Sequence, residues 1–148
     1  MKIKLMIFSI MTVLFLGGCS LLEDVNNSVN YVNEATDYVG EVNTFVQEVP
    51  TLAEQAVSDE QARLDLETKL TDMKEDIKAF NELQAPDLAN DLHQQIITHN
   101  NTALEGIDLY LNNIKDGKFD AALLENSEFF TAMQEITDTV DQIKQLGL

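Results

Sequence analysis

A single cysteine, Cys19, leaves no partner for an intrachain disulfide, so the fold must hold without covalent staples. Basic residues are also scarce, nine against twenty-six acidic ones, for a formal charge of −17 at pH 7. Such a surface repels nucleic acid, anionic lipid head groups and anionic wall polymers; its complementary partners are cations or basic proteins. The six glycines form neither a phosphate-cradling loop nor a Gly-x-Ser-x-Gly elbow. Only two prolines interrupt the chain, Pro50 and Pro86, and only two histidines, His93 and His99, are available to a metal or a proton. One long apolar run exists, Leu5 to Leu16, broken only by Ser9 and Thr12, and it is too short to span a bilayer comfortably as a permanent helix.

That run follows the positive residues Lys2 and Lys4 and reads as a signal peptide over residues 1–18. Directly after it, Leu16-Gly17-Gly18-Cys19 resembles the lipobox of bacterial lipoproteins. The resemblance implies a diacylglyceryl group on the Cys19 thiol, with acyl chains such as palmitate, and cleavage by signal peptidase II between Gly18 and Cys19. The chemistry suits the residues, since a sulfur is a far better nucleophile toward a lipid donor than a hydroxyl. Two acyl chains hold a protein stably where one is marginal, at ~0.8 kcal/mol per buried CH₂. Loss of Lys2 and Lys4 with the leader takes the formal charge from −17 to −19. The mature residues, 19–148, fit one domain with one core.

This domain opens on four heptads in unbroken register: VNNSVNY from Val25, VNEATDY from Val32, VGEVNTF from Val39 and VQEVPTL from Val46. One column is all valine, a second is Tyr31, Tyr38, Phe45 and Leu52, and a third is Ser28, Ala35, Val42 and Val49. A seven-residue apolar period is that of a helix packed nearly parallel to its neighbours. It predicts a first helix over about 22–49, ended or kinked by Pro50. Ser20 and Leu21 alone then separate Cys19 from that helix, which sets the bundle close to the membrane.

Ser58 with Gln61 fits a capping box and opens a second helix, about 59–83, whose buried face is Leu66, Leu70, Met73, Ile77 and Phe80. After Ala85-Pro86-Asp87, the residues Leu88, Leu92, Ile96, His99, Ala103, Ile107, Tyr110 and Ile114 recur at helical steps and predict a third helix over about 87–115, closed at Asp116-Gly117. Phe119, Leu123, Phe130, Met133, Ile136, Val140 and Ile143 predict a fourth over about 119–146, interrupted near Asn126-Ser127. Four amphipathic helices with short connections give an all-α fold, an antiparallel up-down four-helix bundle.

No catalytic constellation stands out. The Glu-x-x-His pairing of di-iron bundles is absent, because Asn90 and Ile96 precede the histidines by three. Six residues apart on a helix, His93 and His99 diverge by about 120° and cannot share a metal as an i, i+4 pair does. His99, on the apolar stripe, reads as a buried, hydrogen-bonded core residue. Asp72, Glu75 and Asp76, and likewise Glu135, Asp138 and Asp141, bring carboxylates together, and read as solvated faces rather than calcium or magnesium sites. Asn26-Asn27-Ser28 and Asn100-Asn101-Thr102 match the N-glycosylation triplet, which a lipobox makes irrelevant. The aromatic column of Tyr31, Tyr38 and Phe45 reads as core; left uncovered, it would be a groove or dimer interface.

The lipobox, the Val-Asn heptads, Asn81-Glu82-Leu83-Gln84-Ala85-Pro86-Asp87 and Ile114-Lys115-Asp116-Gly117-Lys118 together resemble a family of small acidic lipoproteins of Bacillus-type Gram-positive bacteria. The resemblance implies the outer face of a cytoplasmic membrane and an α-helical domain, and supplies no activity. The expected function is a non-enzymatic, membrane-anchored envelope lipoprotein. It is bound to the bilayer through acylated Cys19 and to an envelope protein through its bundle, with no cofactor, metal or nucleic acid. The alternative is a lipoprotein that binds a small ligand or a divalent cation.

Overall fold

The heptads of the first helix have their expected effect. In the computed structural model, which describes residues 18–115 and 128–147, with side-chain surroundings from Asn27 to Ile114 and from Glu128 to Gly147, they lie on one helix, α1, Gly18–Ala56. The signal segment and the expected stretch 116–127, including Asp116-Gly117, Phe119, Leu123 and Asn126-Ser127, lie outside the described residues. Three further helices follow: α2, Glu60–Asn81; α3, Asn90–Lys115, led in by a 3₁₀ turn at Asp87–Ala89; and α4, Glu128–Gln145. Each packs on two neighbours, α1 on α2 and α4, α3 on α2 and α4, so that α1 and α3 face each other across the core. This is the expected up-down bundle. Among the described residues, no helix is long and apolar enough to cross a membrane.

Pro50 does not end α1, which runs on for six residues to Ala56. Proline there removes the bond to the Val46 carbonyl, but Pro50 itself is exposed while Val49, Ala53 and Ala56 continue the buried stripe. Burial of that last stripe holds the helix together past the defect. Pro50→Ala is therefore expected to raise stability by about 1–2 kcal/mol, less than the full helix-interior cost of ~3 because alanine also loosens the unfolded chain. Chemical denaturation of the two forms measures it.

The start of α2 is also one residue later than Ser58 implied. Asp59 is the N-cap, with φ −119° and ψ 120°, and its Oδ1 accepts from the amides of Gln61 at 2.7 Å and Ala62 at 3.2 Å. A carboxylate suits the positive helix end better than a hydroxyl does. The Gln61 amide turns forward to Asp65, 2.8 Å away. On α2 the expected face is buried in full: Leu66, Leu70, Met73, Ile77 and Phe80.

On α3 the phase differs in the first half. From Ala89 in the lead-in turn, His93, Ile96, Asn100, Ala103, Ile107, Tyr110 and Ile114 follow as buried residues in strict alternation of four and three; Leu88 is 62% exposed and Leu92 and His99 are half-buried. The apolar leucines suggested one phase, but the helix takes the one that carries two polar residues inward. On α4, Phe129 rather than Phe130 is the core aromatic. Gly106 makes room for it: a Cβ at 106 would stand 2.8 Å from the Phe129 ring.

Candidate functional site

The two polar residues on the core face of α3 meet the two tyrosines of α1. Tyr31 hydroxyl lies 3.0 Å from His93 Nδ1, and Tyr38 hydroxyl donates to Asn100 Oδ1 at 2.5 Å. Tyrosines and partners are both seven residues apart, so the contacts are successive rungs of one parallel register. The next rung in that register is apolar, Phe45 opposite Ile107. Asn100 also donates to Asn81 Oδ1 on α2 at 2.7 Å, and Phe80 stacks on Tyr38 with ring centres 4.5 Å apart. Phe80 also packs beside His93, at 5.1 Å. The aromatic column is thus core, as its spacing indicated, with Tyr31, Tyr38 and Phe45 all under a tenth exposed.

His93, not His99, is the buried histidine. Burial holds its imidazole below the ordinary value, with a hydrogen bond to the Leu83 backbone opposing. Burial also pushes the Tyr31 and Tyr38 phenols upward, the latter despite its bond to Asn100. A neutral His93 ring with its proton on Nε2 lets Tyr31 donate to Nδ1. Because the folded-state pKa lies below the unfolded 6.5, the unfolded chain binds the proton more readily. Stability from this group is complete above about pH 6.5 and falls as pH drops toward the folded value. His93→Gln is expected to flatten that part of a stability-against-pH curve measured by denaturation.

Two clefts open beside these rungs. One, of about 680 Å³, lies between residues 27–34 of α1 and the α2–α3 connection, residues 83–88. The other, about 420 Å³, runs along the α1–α2 seam, walled by Glu34, Asp37, Glu41 and Asp76 over the Tyr38 and Phe80 pair. Asp76 is held above the usual carboxylate range, first by burial and then by Glu41, Asp72 and Glu75.

The seam has a repeat of its own. Lys69 of α2 forms an ion pair with Glu48 of α1. In antiparallel helices a heptad step moves one partner back and the other forward by seven, which brings Glu41 opposite Asp76. One rung is neutralised within the chain; the next opposes two carboxylates. The sequence signalled Asp76 only as a member of an acidic cluster with Asp72 and Glu75. The other cluster, Glu135, Asp138 and Asp141, is exposed, and Asp141 bonds Lys144 at 3.0 Å. Among the described residues, no three His, Cys, Asp or Glu side chains gather as a metal ion requires.

Residues 31–146 match a family of unknown function, DUF6376. The chain belongs to that family. The match begins at Tyr31, the first buried residue of the described part of α1, and so covers the packed bundle. The uncharacterized lipoprotein YybP of Bacillus subtilis (strain 168) is 39% identical over 147 residues, 99% of this chain and 99% of that protein. No solved structure matches the chain.

Proposed function

We propose that this family member is a lipoprotein held at the outer face of the cytoplasmic membrane by diacylated Cys19. In this reading its bundle is a non-catalytic docking module for a basic envelope partner. The anchor is supported by the lipobox residues Leu16 to Cys19 and by likeness over almost the whole chain to a protein named a lipoprotein. Binding rather than catalysis is supported by the use of the buried polar groups. Tyr31 engages His93, and Tyr38, Asn100 and Asn81 engage one another, which spends their hydrogen bonds on the core.

The observation that carries the docking reading is the Glu41 and Asp76 rung. The Lys69–Glu48 pair one heptad away shows that this seam position accommodates a lysine across from a carboxylate. At the next rung a lysine or arginine from a partner fills the equivalent place, against Glu34, Asp37, Glu41 and Asp76. It also relieves the like-charge crowding that raises the Asp76 pKa. Charge complementarity of this kind speeds encounter and selects partners more than it adds affinity.

Asp76→Lys tests the docking. It completes the rung internally with Glu41, so the variant should be at least as stable as the parent while losing salt-sensitive binding of an oligolysine peptide. It should also lose the partner crosslinked from a photoreactive residue at position 37 in intact cells. Retention of both by Asp76→Lys counts against the docking surface. Cys19→Ser tests the anchor separately: the protein should be released into the medium or stay unprocessed, and normal maturation with membrane retention refutes lipidation.

A further inference from the structure

Two stretches of the sequence carry exposed polar side chains that the core and the acidic seam do not use. One holds Asn27 and Asn30 on α1; the other is the α2–α3 connection with Gln84 and Asp87. They meet as the two walls of the 680 Å³ cleft, on the end of the bundle from which α1 runs back to Cys19.

The cleft is preformed. Leu83 N–H bonds the Phe80 carbonyl at 3.1 Å, Ala89 N–H bonds the Pro86 carbonyl at 2.9 Å, and Pro86 sits at φ −64°, the angle its ring imposes. On the other side Tyr31 is tied to His93 across the core. A ligand entering here therefore has little ordering cost to offset.

Its walls are selective in kind. Asn27, Asn30 and Gln84 present carboxamides that both donate and accept, while Glu34 and Asp87, as carboxylates, can accept but not donate. Among the described residues no basic side chain lines the cleft, which disfavours phosphate and carboxylate ligands. Pro86 and Leu88 add apolar surface beside these polar groups, with Leu88 62% exposed. Helix stability gives no reason for Asn27 and Asn30, both exposed within α1, since asparagine costs about 0.5 kcal/mol or more against alanine at such positions. A ligand rich in hydroxyls, uncharged, and carrying one apolar face matches these walls. That is the description of a pyranose ring.

We propose that the cleft binds a neutral sugar unit, one or two residues long, as its volume lies in the range of small-molecule sites. Along α1 the walls at Asn27 and Asn30 stand roughly 12–17 Å from Cys19 at 1.5 Å per residue. The sugar can therefore come from a wall glycan or from the head group of a neutral glycolipid, and the two sources are separable. Full-length protein purified in a detergent without a sugar head group is titrated with N-acetylglucosamine di- and trisaccharides. It is also mixed with phosphatidylcholine vesicles with and without glucosyl-diacylglycerol. Saturable binding to the soluble sugars supports a wall glycan, and binding only to the glycolipid vesicles supports a head group.

In either arm Asn30→Ala and Gln84→Ala, both surface changes, should weaken binding by about tenfold each, while Glu135→Gln, an exposed change on α4, leaves it unchanged. Absence of binding in both arms at low-millimolar sugar overturns the proposal. So does parental affinity in both alanine variants, or tighter binding of oligolysine than of sugar at this cleft.

Discussion

Phe80→Ala is expected to lower the stability of the bundle by about 3–5 kcal/mol, the range for emptying a buried phenylalanine site. Phe80 is 2% exposed and, among the described residues, is the one ring that touches both tyrosine rungs, 4.5 Å from Tyr38 and 6.5 Å from Tyr31. Its loss removes the transfer energy of the ring and opens a void whose lining includes the hydroxyl-bearing Tyr31 and Tyr38. Those rings cannot collapse inward without leaving His93 and Asn100. Domains of this size have about 5–15 kcal/mol in total, so the variant should unfold at much lower urea, with the slope of the transition unchanged. A drop below about 1 kcal/mol, followed by far-UV circular dichroism, refutes this account of the core.

Asn100→Ala should cost about 2–3 kcal/mol through a different mechanism. Asn100 is fully buried; it accepts from Tyr38 and donates to Asn81, so alanine leaves a buried hydroxyl without its acceptor. Removing both ends of that bond is a milder change. Tyr38→Phe with Asn100→Ala should cost clearly less than the two single changes together, whereas independent contributions would simply add. The coupling measured by the cycle is the energy of the rung. Additive behaviour would show that Tyr38 and Asn100 are merely neighbours.

These rungs mark where reading one helix at a time succeeds and where it stops. The seven-residue columns of α1 announced both its helix and its aromatic core face, because valine, tyrosine and phenylalanine burial is decided largely by area. On α3 the phase was ambiguous by one position. Leu88, Leu92 and His99 offered an apolar-looking stripe, and Ala89, His93 and Asn100 offered a polar one. Polar side chains enter a core only when a partner awaits them, and the partners lie on another helix, with an equal spacing of seven between Tyr31 and Tyr38. That matching interval is the signal that could have found His93 and Asn100.

Capping and helix ends were legible to within a residue or so at Asp59. Pro50 misled because its local cost is outweighed by Ala53 and Ala56, whose burial depends on α1's neighbours. The cleft beside the α2–α3 connection was not legible at all, since its walls come from a helix and a connection about fifty residues apart. The acidic seam was half legible: the cluster around Asp76 was visible, but the opposing Glu41 required the antiparallel pairing that Lys69 and Glu48 reveal.

The unbroken course of α1 through Cys19 has a geometric consequence. Among the described residues the first buried side chain of α1 is Tyr31, so the packed core begins twelve residues, or roughly 18 Å, beyond the cysteine. A helical connection of that length transmits azimuth as well as height. One residue inserted after Ser20 turns the whole bundle by about 100° about α1 relative to the lipid proposed on Cys19, for a rise of only ~1.5 Å. Seven inserted residues lift it by about 10 Å while returning it to within roughly 20° of its original heading. Loss of function after the first insertion and its survival after the second would identify a molecule that works like a compass needle rather than a tethered float.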